Sequence, residues 1–291
     1  MKDLGEVKSL LGIQVTHDRQ RRRLKLVQGG IIRDVLEAAG MVECKPVSTP
    51  MEPGLRLKRN ETDPAIMTTF PYQKLIGMLL YLSVGTRPDI AYPVNYLSRF
   101  VTCYDESHWS AVKRVLQYLK GTSAKGVAYN GLDVEASVLV GYGDADWGSD
   151  EVDRRSTSGY VFFYGGGPVS WKTRKQTTVA ISTVEAEYLS ATEATKQALH
   201  HRMLLKELGV LNEAEPTIIR CDNQGCIALT ENPVHHERTK HFDIRHHFVR
   251  EKVTDGQVAL KYLPTGEMVA DMMTKALPLK TFSKFRDTIC V

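Results

Sequence analysis

A strand-like stretch that ends in two carboxylates constrains this chain more than any other feature. Residues 138–147 read Val-Leu-Val-Gly-Tyr-Gly-Asp-Ala-Asp-Trp and are apolar on both faces up to Asp144 and Asp146. Side chains alternate across a strand, so both aspartates share one face with Tyr142. A carboxylate at the tip of a core strand is costly to bury unless a positive group meets it. A bound metal ion would meet that need, and an aspartate that caps the following loop is the simpler alternative.

The size and composition of the chain are those of a globular protein with room for two domains. It has 291 residues, of which 42% are hydrophobic and 25% charged, and a formal net charge of +4. This mild positive charge permits an anionic partner such as nucleic acid without requiring one. The five cysteines lack metal or disulfide spacing, and there is no signal-peptide pattern and no apolar run of about 20 residues. We therefore expect an intracellular protein, cytoplasmic or nuclear, with reduced thiols and no membrane span.

The first 130 residues predict a mostly helical support module without a catalytic constellation. Strands at 8–16 and 24–26 flank an arginine-rich turn, and a helix follows up to Gly40. Residues 44–70 are rich in proline, glycine and threonine and are typical of a linker. Three more helices, the last with Ser107 as its N-cap, are predicted at 71–85, 90–100 and 107–121.

The pattern changes to that of an α/β domain over residues 136–291. Three strands with short polar turns between them predict an antiparallel meander, and a long helix over 184–208 follows. The next strand, 217–221, comes after that helix, so a right-handed crossover makes it parallel to the first strand. A fifth strand at 258–263 and an amphipathic helix at 266–277 complete the domain. The prediction is a mixed sheet of three antiparallel and two parallel strands with flanking helices.

Four acidic residues far apart in the chain converge in this predicted sheet. Asp144 and Asp222 end neighbouring strands, and Glu187 shares an inward stripe with three alanines of the long helix. Asp271 lies in the last predicted helix. For Asp271 the simpler alternative is a solvated side chain, and for Asp222 it is a helix N-cap. Carboxylates packed this closely repel one another, so two divalent cations are expected between them. Oxygen ligands without a thiolate cluster favour Mg²⁺, or Mn²⁺, over zinc.

Ordered motifs run through the whole chain. In the second half they are Gly141–Trp147, Arg155–Tyr160, Val169–Lys172, Glu185–Tyr188, Cys221–Gln224, Arg238–His241 and Ala270–Leu277. In the first half they are Met1–Gly5, Leu11–Ile13, Thr49–Met51, Leu75–Gly77, Gly85–Tyr92 and Leu97–Phe100. The second half resembles the RNase H domain of copia-type LTR retrotransposon polyproteins. The first half is similar to the family's stretch between polymerase palm and RNase H, which makes residues 1–130 a remnant of the reverse transcriptase thumb and connection region.

The resemblance implies an RNase H-like domain that hydrolyses the RNA strand of an RNA–DNA hybrid with two metal ions. It makes Asp144 the ligand of both ions, Glu187 and Asp222 ligands of the ion at the leaving 3′ oxygen, and Asp271 a ligand of the ion that activates water. Polar neighbours of the acids are expected to contact 2′ hydroxyls: Ser182, Thr183, Asn223 and Gln224. Cations near Trp171 suit the backbone of the other strand, with a charge-guarded edge strand as the alternative: Lys172, Arg174 and Lys175.

Departures from the family's pattern limit these expectations. Ser182-Thr183-Val184 replaces the family's more usual Ser-Ser-Thr before Glu187, which leaves the metal ligands intact. The chain has no Tyr-x-Asp-Asp polymerase signature, so we expect no DNA synthesis from it, and the polymerase portion of the polyprotein is a candidate partner. The histidine that many RNases H carry between the last strand and the last acid is also missing, and we hypothesise that His235, His236 or His241 replaces it as a proton shuttle. Zinc binding there is disfavoured because no companion cysteine is spaced for it. The alternative to a nuclease is a truncated retroelement product that binds hybrid or double-stranded nucleic acid and cleaves nothing.

Overall fold

A computed structural model describes residues 5–60, 70–131, 138–231 and 240–291, with the backbone alone described for 240–246. The chain divides into two compact units: residues 1–134 together with 276–291, and residues 135–275. Within the part of the chain so described, no helix has both the length and the apolar character needed to cross a lipid bilayer.

The first unit combines an antiparallel sheet with packed helices. Its four strands lie in the order β1-β2-β3-β4. The elements are β1 Ser9–Leu10, β2 Ile13–Asp18, β3 Arg23–Val27, α1 Gly29–Ala38, α2 Tyr72–Gly85, α3 Ala91–Ser98, α4 Glu106–Gly121 and β4 Val127–Asn130. The strand expected over 8–16 is interrupted because Leu11 and Gly12 both adopt positive φ and turn the chain. Strand β4 was not predicted.

Helix α4 is capped by Asp105, so the prediction of Ser107 as its N-cap is wrong. The Asp105 carboxylate accepts hydrogen bonds from the backbone N–H groups of Ser107 (2.8 Å) and His108 (3.3 Å). In return, the backbone N–H of Asp105 donates to Nδ1 of His108 at 3.1 Å. This reciprocal pair satisfies helix donors that would otherwise lack partners, and it starts the helix one residue before Ser107.

The second unit contains the predicted mixed sheet. Its strands lie in the order β7-β6-β5-β8-β9; the β7–β6 and β6–β5 pairs are antiparallel and the β5–β8 and β8–β9 pairs are parallel. The elements are β5 Val140–Asp146, β6 Thr157–Tyr164, β7 Gly167–Lys175, α5 Thr183–Glu207, β8 Thr217–Cys221, α6 Gln224–Glu231, α7 Lys240–Thr254 and β9 Val258–Tyr262. The predicted α/β class, with a mixed five-stranded sheet and flanking helices, is therefore confirmed.

Helix α5 lies close to the central strand because its inward residues are small. Ala191, Ala194 and Ala198 are buried, and a Cβ on Gly143 would lie only 3.6 Å from the Cβ of Ala194. The Ser190 hydroxyl donates to the backbone carbonyl of Asp144 at 2.7 Å. This close packing sets the first turns of α5 beside the end of β5.

The amphipathic helix predicted at 266–277 is wrong. Two short 3₁₀ helices stand there, Thr265–Glu267 and Val269–Met273, and the latter has all five residues buried. An amphipathic helix needs a face exposed to solvent, and Val269–Met273 has none. Its close approach to β6 depends on Gly159, where a Cβ would lie 2.4 Å from the Cβ of Met273 and 2.9 Å from Cγ2 of Thr274.

The chain ends in helix α8, Leu279–Ile289, which was not predicted. The sequence pattern assigned residues 276–291 to the second domain, whereas their contacts place them in the first unit. The Phe282 ring packs edge-on against Tyr118 of α4 with centroids 5.6 Å apart. Backbone hydrogen bonds also join Val291 to Gly126.

Replacing Gly159 by alanine is expected to destabilise the protein by about 1–3 kcal/mol, because the backbone of the 3₁₀ segment would have to move away from β6. Denaturant unfolding measures this loss. Gly266→Ala is the matched control, since a Cβ there meets nothing within 4 Å. Equal stabilities of the two variants would contradict the close approach at Gly159.

Candidate active site

Three of the predicted acids meet at one end of the central strands. Asp144 lies two residues before the end of β5, Asp222 directly follows the parallel neighbour β8, and Glu187 lies near the start of α5. One carboxylate oxygen from each lies within 4.8 Å of the other two. Asp144 and Glu187 are buried and Asp222 is half-buried. Parallel pairing of β5 with β8 is what brings two of the acids together, since parallel strands end at the same edge of a sheet.

Each of these three carboxylates accepts a hydrogen bond, and each keeps other oxygen lone pairs available to a ligand. The backbone N–H of Ala145 donates to Oε1 of Glu187 at 3.3 Å, and the Thr265 hydroxyl donates to Oδ2 of Asp222 at 2.7 Å. The Thr274 hydroxyl donates to Oδ2 of Asp144. The second oxygen of Glu187, Oε2, is buried and has no hydrogen-bond partner among the residues described. A buried carboxylate oxygen without a donor is costly, and a cation would satisfy it.

The close packing of the acids changes their protonation. Burial, and then the charge of Asp144, raise the pKa of Glu187 to about 10. Without a cation, Glu187 therefore carries a proton at neutral pH. Because a carboxylate must lose its proton to bind a metal ion, metal binding and protonation compete at this residue.

Lys275 links Asp271 to Asp144 by contacting both carboxylates. Lys275 Nζ lies 3.0 Å from Oδ1 of Asp271 and 3.8 Å from Oδ2 of Asp144. Asp271 is only 4% exposed, so it is not the solvated side chain that was the simpler alternative. Burial and Asp144 raise the pKa of Asp271 to about 7, against the opposing charge of Lys275.

Three site residues were not singled out from the sequence. Thr265 and Thr274 donate to Asp222 and Asp144, and Lys275 pairs with two acids. Lys275 follows Asp271 by four residues, a spacing typical of ion pairs, so a signal for it was present. The threonines had no such signal, because their roles depend on contacts between segments far apart in the chain.

Replacing Lys275 by glutamine is expected to raise the pKa of Asp271 above 7, since the nearest opposing charge is lost. Carboxyl carbon NMR across a pH titration of the metal-free protein measures the shift. Lys261→Gln is the control, because Lys261 is an exposed lysine of β9. An unchanged Asp271 titration in Lys275→Gln would show that the two side chains do not interact.

The three predicted cations of β7 do not share one environment. Lys175 forms ion pairs with Asp150 and, at 2.9 Å, with Asp153. Lys172 and Arg174 are exposed, and neither has an ion-pair partner in the described part of the chain. Only these two therefore offer unpaired positive charge to a ligand.

The four polar residues expected to contact substrate flank the acids at two helix starts. Ser182 caps α5 and accepts from the backbone N–H of Glu185 at 3.1 Å, and Thr183 is the first residue of that helix. Asn223 accepts from the backbone N–H of Cys226 at 2.9 Å, so Asn223, and not Asp222, performs the capping role at α6. Gln224 opens that helix and is exposed.

The side chains of the three histidines proposed as proton shuttles are not among those that the structure describes. His235 and His236 lie outside the described residues, and His241 is in α7 with its side chain undescribed. Within the described ranges, Asp144, Glu187 and Asp222 are the one group of three acid, histidine or cysteine side chains close enough to hold a metal ion.

Comparison with known proteins identifies the relatives of the chain. No family model matches it. It is 40% identical over 294 residues to the retrovirus-related Pol polyprotein from transposon TNT 1-94 of Nicotiana tabacum, a match that covers 99% of this chain and 22% of the relative. It is 38% identical over 298 residues to the corresponding polyprotein from transposon RE1 of Arabidopsis thaliana, covering 100% of this chain and 19% of the relative.

Among solved structures, RNase H1 from Halobacterium salinarum NRC-1 matches with a TM-score of 0.34 and 17% identity, over 47% of this chain and 93% of that one. The polyprotein relatives are similar along nearly all of the present sequence, and both are several times longer. The chain is thus homologous to one segment of retrovirus-related Pol polyproteins from transposons, and it spans about a fifth of their length.

Proposed function

We propose that this chain hydrolyses the RNA strand of RNA–DNA hybrids with two divalent metal ions, as part of a retrotransposon Pol polyprotein. The observation that carries the proposal is the meeting of Asp144, Glu187 and Asp222 within 4.8 Å at the end of two parallel strands. Homology to retrovirus-related Pol polyproteins from transposons supports the same proposal, together with the resemblance of the second half of the chain to the RNase H domain of copia-type polyproteins.

The acids fit divalent metal ions. Asp144, Glu187 and Asp222 would hold one ion, and the unpartnered Oε2 of Glu187 is an oxygen that such an ion would satisfy. Asp144 and Asp271, which Lys275 bridges, would hold the second. Oxygen donors alone favour Mg²⁺, with Mn²⁺ as a substitute. When bound, the ions would supply an activated water and stabilise negative charge on the scissile phosphate and the leaving 3′ oxygen.

Residues of the chain itself prepare this chemistry. Thr274 and Thr265 orient Asp144 and Asp222 through their hydroxyl groups. Lys275 neutralises Asp144 and Asp271 in the metal-free protein, so it and the second cation compete for the same two carboxylates. The protein can therefore keep these acids buried before metal and substrate arrive.

Recognition of the hybrid would use the surface around the acids. Ser182 and Thr183 at the start of α5, and Asn223 and Gln224 at the start of α6, offer hydroxyl and amide groups to the 2′ hydroxyls that distinguish RNA from DNA. Lys172 and Arg174 offer unpaired charge to nucleic-acid phosphate. No comparable role is proposed for Lys175, because two aspartates neutralise it.

A gel assay tests the proposal. The purified chain is incubated with an end-labelled RNA–DNA hybrid and Mg²⁺, and with matched duplexes of DNA and of RNA. We expect cleavage of the hybrid's RNA strand alone, with 5′ phosphate and 3′ hydroxyl ends, and its loss with a chelator. Binding of the hybrid without cleavage would instead select the alternative of a catalytically silent nucleic-acid-binding product.

A further inference from the structure

An exposed tryptophan stands close to the acid cluster. Trp147 directly follows β5, the strand that carries Asp144, and its side chain is 46% exposed. The indole N–H donates to the backbone carbonyl of Ala180 at 3.0 Å, so the ring is fixed while nearly half of its surface stays open to solvent. Gly148, with a φ of +58°, turns the chain immediately after it. The proposed hydrolysis gives this ring no role.

A second exposed apolar side chain lies in the same region. Ile181 directly follows Ala180, precedes helix α5 and is 86% exposed. Its backbone N–H donates to the carboxylate of Glu185 at 2.7 Å, which fixes the backbone at this residue. Because Trp147 is hydrogen-bonded to the residue before Ile181, the two side chains belong to one surface, which we call the apolar platform.

The apolar platform borders the acid cluster through a small core of alanines. Ala145, Ala180 and Ala186 pack together. Ala145 directly follows Asp144, and its backbone N–H donates to Oε1 of Glu187 at 3.3 Å. Ala186 directly precedes Glu187 in α5. A substrate held at these acids therefore has the platform next to it.

The chemistry of the platform suits the sugars of a paired strand. Rigid apolar side chains that remain exposed beside a polar site mark a surface for a ligand. The one N–H donor of the Trp147 side chain is already used by Ala180, so the ring offers apolar contact alone. In a duplex the base faces are stacked inside, whereas a wide, shallow minor groove displays the sugars. Apolar contact with sugars is the same at every nucleotide and reads no sequence.

We propose that Trp147 and Ile181 pack against sugars of the RNA strand in the minor groove of the hybrid, next to the phosphate that is cleaved. The inference rests on the proposed function and adds an apolar contact to the polar contacts assigned to Ser182 and Thr183. The RNA strand is the one contacted because the acids beside the platform act on that strand. The minor groove of B-form DNA is only about 6 Å wide, so a DNA duplex would not lie flat across both side chains.

Fluorine NMR of the full chain, labelled with 5-fluorotryptophan, tests the proposal. The sequence has three tryptophans, and the resonance of Trp147 is the one that is lost in Trp147→Phe. An RNA–DNA hybrid is added with a chelator, so the outcome is independent of hydrolysis at the acid cluster. We expect the Trp147 resonance to shift with the hybrid, and to shift less with a DNA duplex of the same sequence. Trp109 is buried and serves as the internal reference.

Hybrid affinities of four variants provide the second measurement. Trp147→Ala should bind the hybrid about tenfold more weakly and Ile181→Ala about threefold, because apolar contact area is lost. Trp147→Phe should keep most of the affinity, since an aromatic ring remains. Leu208→Ala is the matched control: it removes an apolar side chain that is 64% exposed at the other end of the 25-residue helix α5 and should leave binding unchanged.

Several outcomes would overturn the proposal. They are a Trp147 resonance that the hybrid does not shift, no binding of the hybrid, or equal affinities in the wild type and Ile181→Ala, whose exposed side chain favours normal folding. A resonance that shifts with protein concentration but not with hybrid would show that a second copy covers the platform. Cleavage with Mg²⁺ is a separate measurement. A hybrid that shifts Trp147 without being cleaved would refute the hydrolysis and keep the platform, and cleavage without the shift would do the reverse.

Discussion

Asp144→Asn is expected to lower the rate of hybrid cleavage by at least about a thousandfold, because metal ligands account for several kcal/mol of transition-state stabilisation. Asp144 is the acid shared by the whole cluster: it lies within 4.8 Å of Glu187 and Asp222 and is linked through Lys275 to Asp271. Asparagine keeps the size of the side chain and removes its charge. Single-turnover cleavage of a labelled hybrid with excess enzyme measures the change in the chemical step.

Asp146→Asn is the matched control for this variant. Asp146 lies two residues further along β5, on the same face, and is outside the group of acids that can hold a metal ion. The same substitution there should leave the rate close to that of the wild type. A similar loss in both variants, or full activity in Asp144→Asn, would contradict the proposed site.

Much of the site was predictable because it depends on local rules. A buried strand that ends in an acid identified Asp144 and Asp222, and a helix between the strands implied that they lie side by side. Helical periodicity separated Glu187, which faces the sheet beside small residues, from Glu185, which faces away. In the structure the Glu187 side chain is only 7% exposed. The Glu185 carboxylate instead accepts a hydrogen bond from the backbone N–H of Ile181, which precedes the helix.

The parts that local patterns did not predict depend on tertiary contacts. The Val269–Met273 segment has apolar residues at helical spacing, yet it is buried on all sides and becomes a short 3₁₀ helix pressed against Gly159. Helix α8 has a clear apolar face, but only its contacts, such as Phe282 with Tyr118, show that it belongs to the first unit. Strand β4 is four residues long and pairs with β3, about 100 residues earlier in the chain, which no short window of sequence can show.

The metal-free protein is expected to lose about 3 kcal/mol of stability between pH 4 and pH 7 through Glu187 alone. The pKa of this carboxyl is raised from its ordinary value of 4.5 to about 10 in the folded protein. The folded state therefore holds the proton more tightly than the unfolded state. Its contribution to stability is complete below pH 4.5 and is lost as the pH rises towards 10. Unfolding by denaturant at several pH values, with a chelator present, measures the slope.

Glu187→Gln is expected to remove this slope, because glutamine resembles the protonated acid at every pH. The variant should therefore be more stable than the wild type at pH 8 without metal and fail to cleave the hybrid with metal. Mg²⁺ should restore the stability of the wild type, and more strongly at pH 8 than at pH 6 because it competes with the proton of Glu187. It should not stabilise Glu187→Gln in this way. Glu185→Gln, two residues earlier on the outer face of α5, should keep the wild-type slope and the response to Mg²⁺. If Glu187→Gln retained the pH dependence of stability and the stabilisation by Mg²⁺, the carboxyl of Glu187 would be neither buried against Asp144 nor a metal ligand.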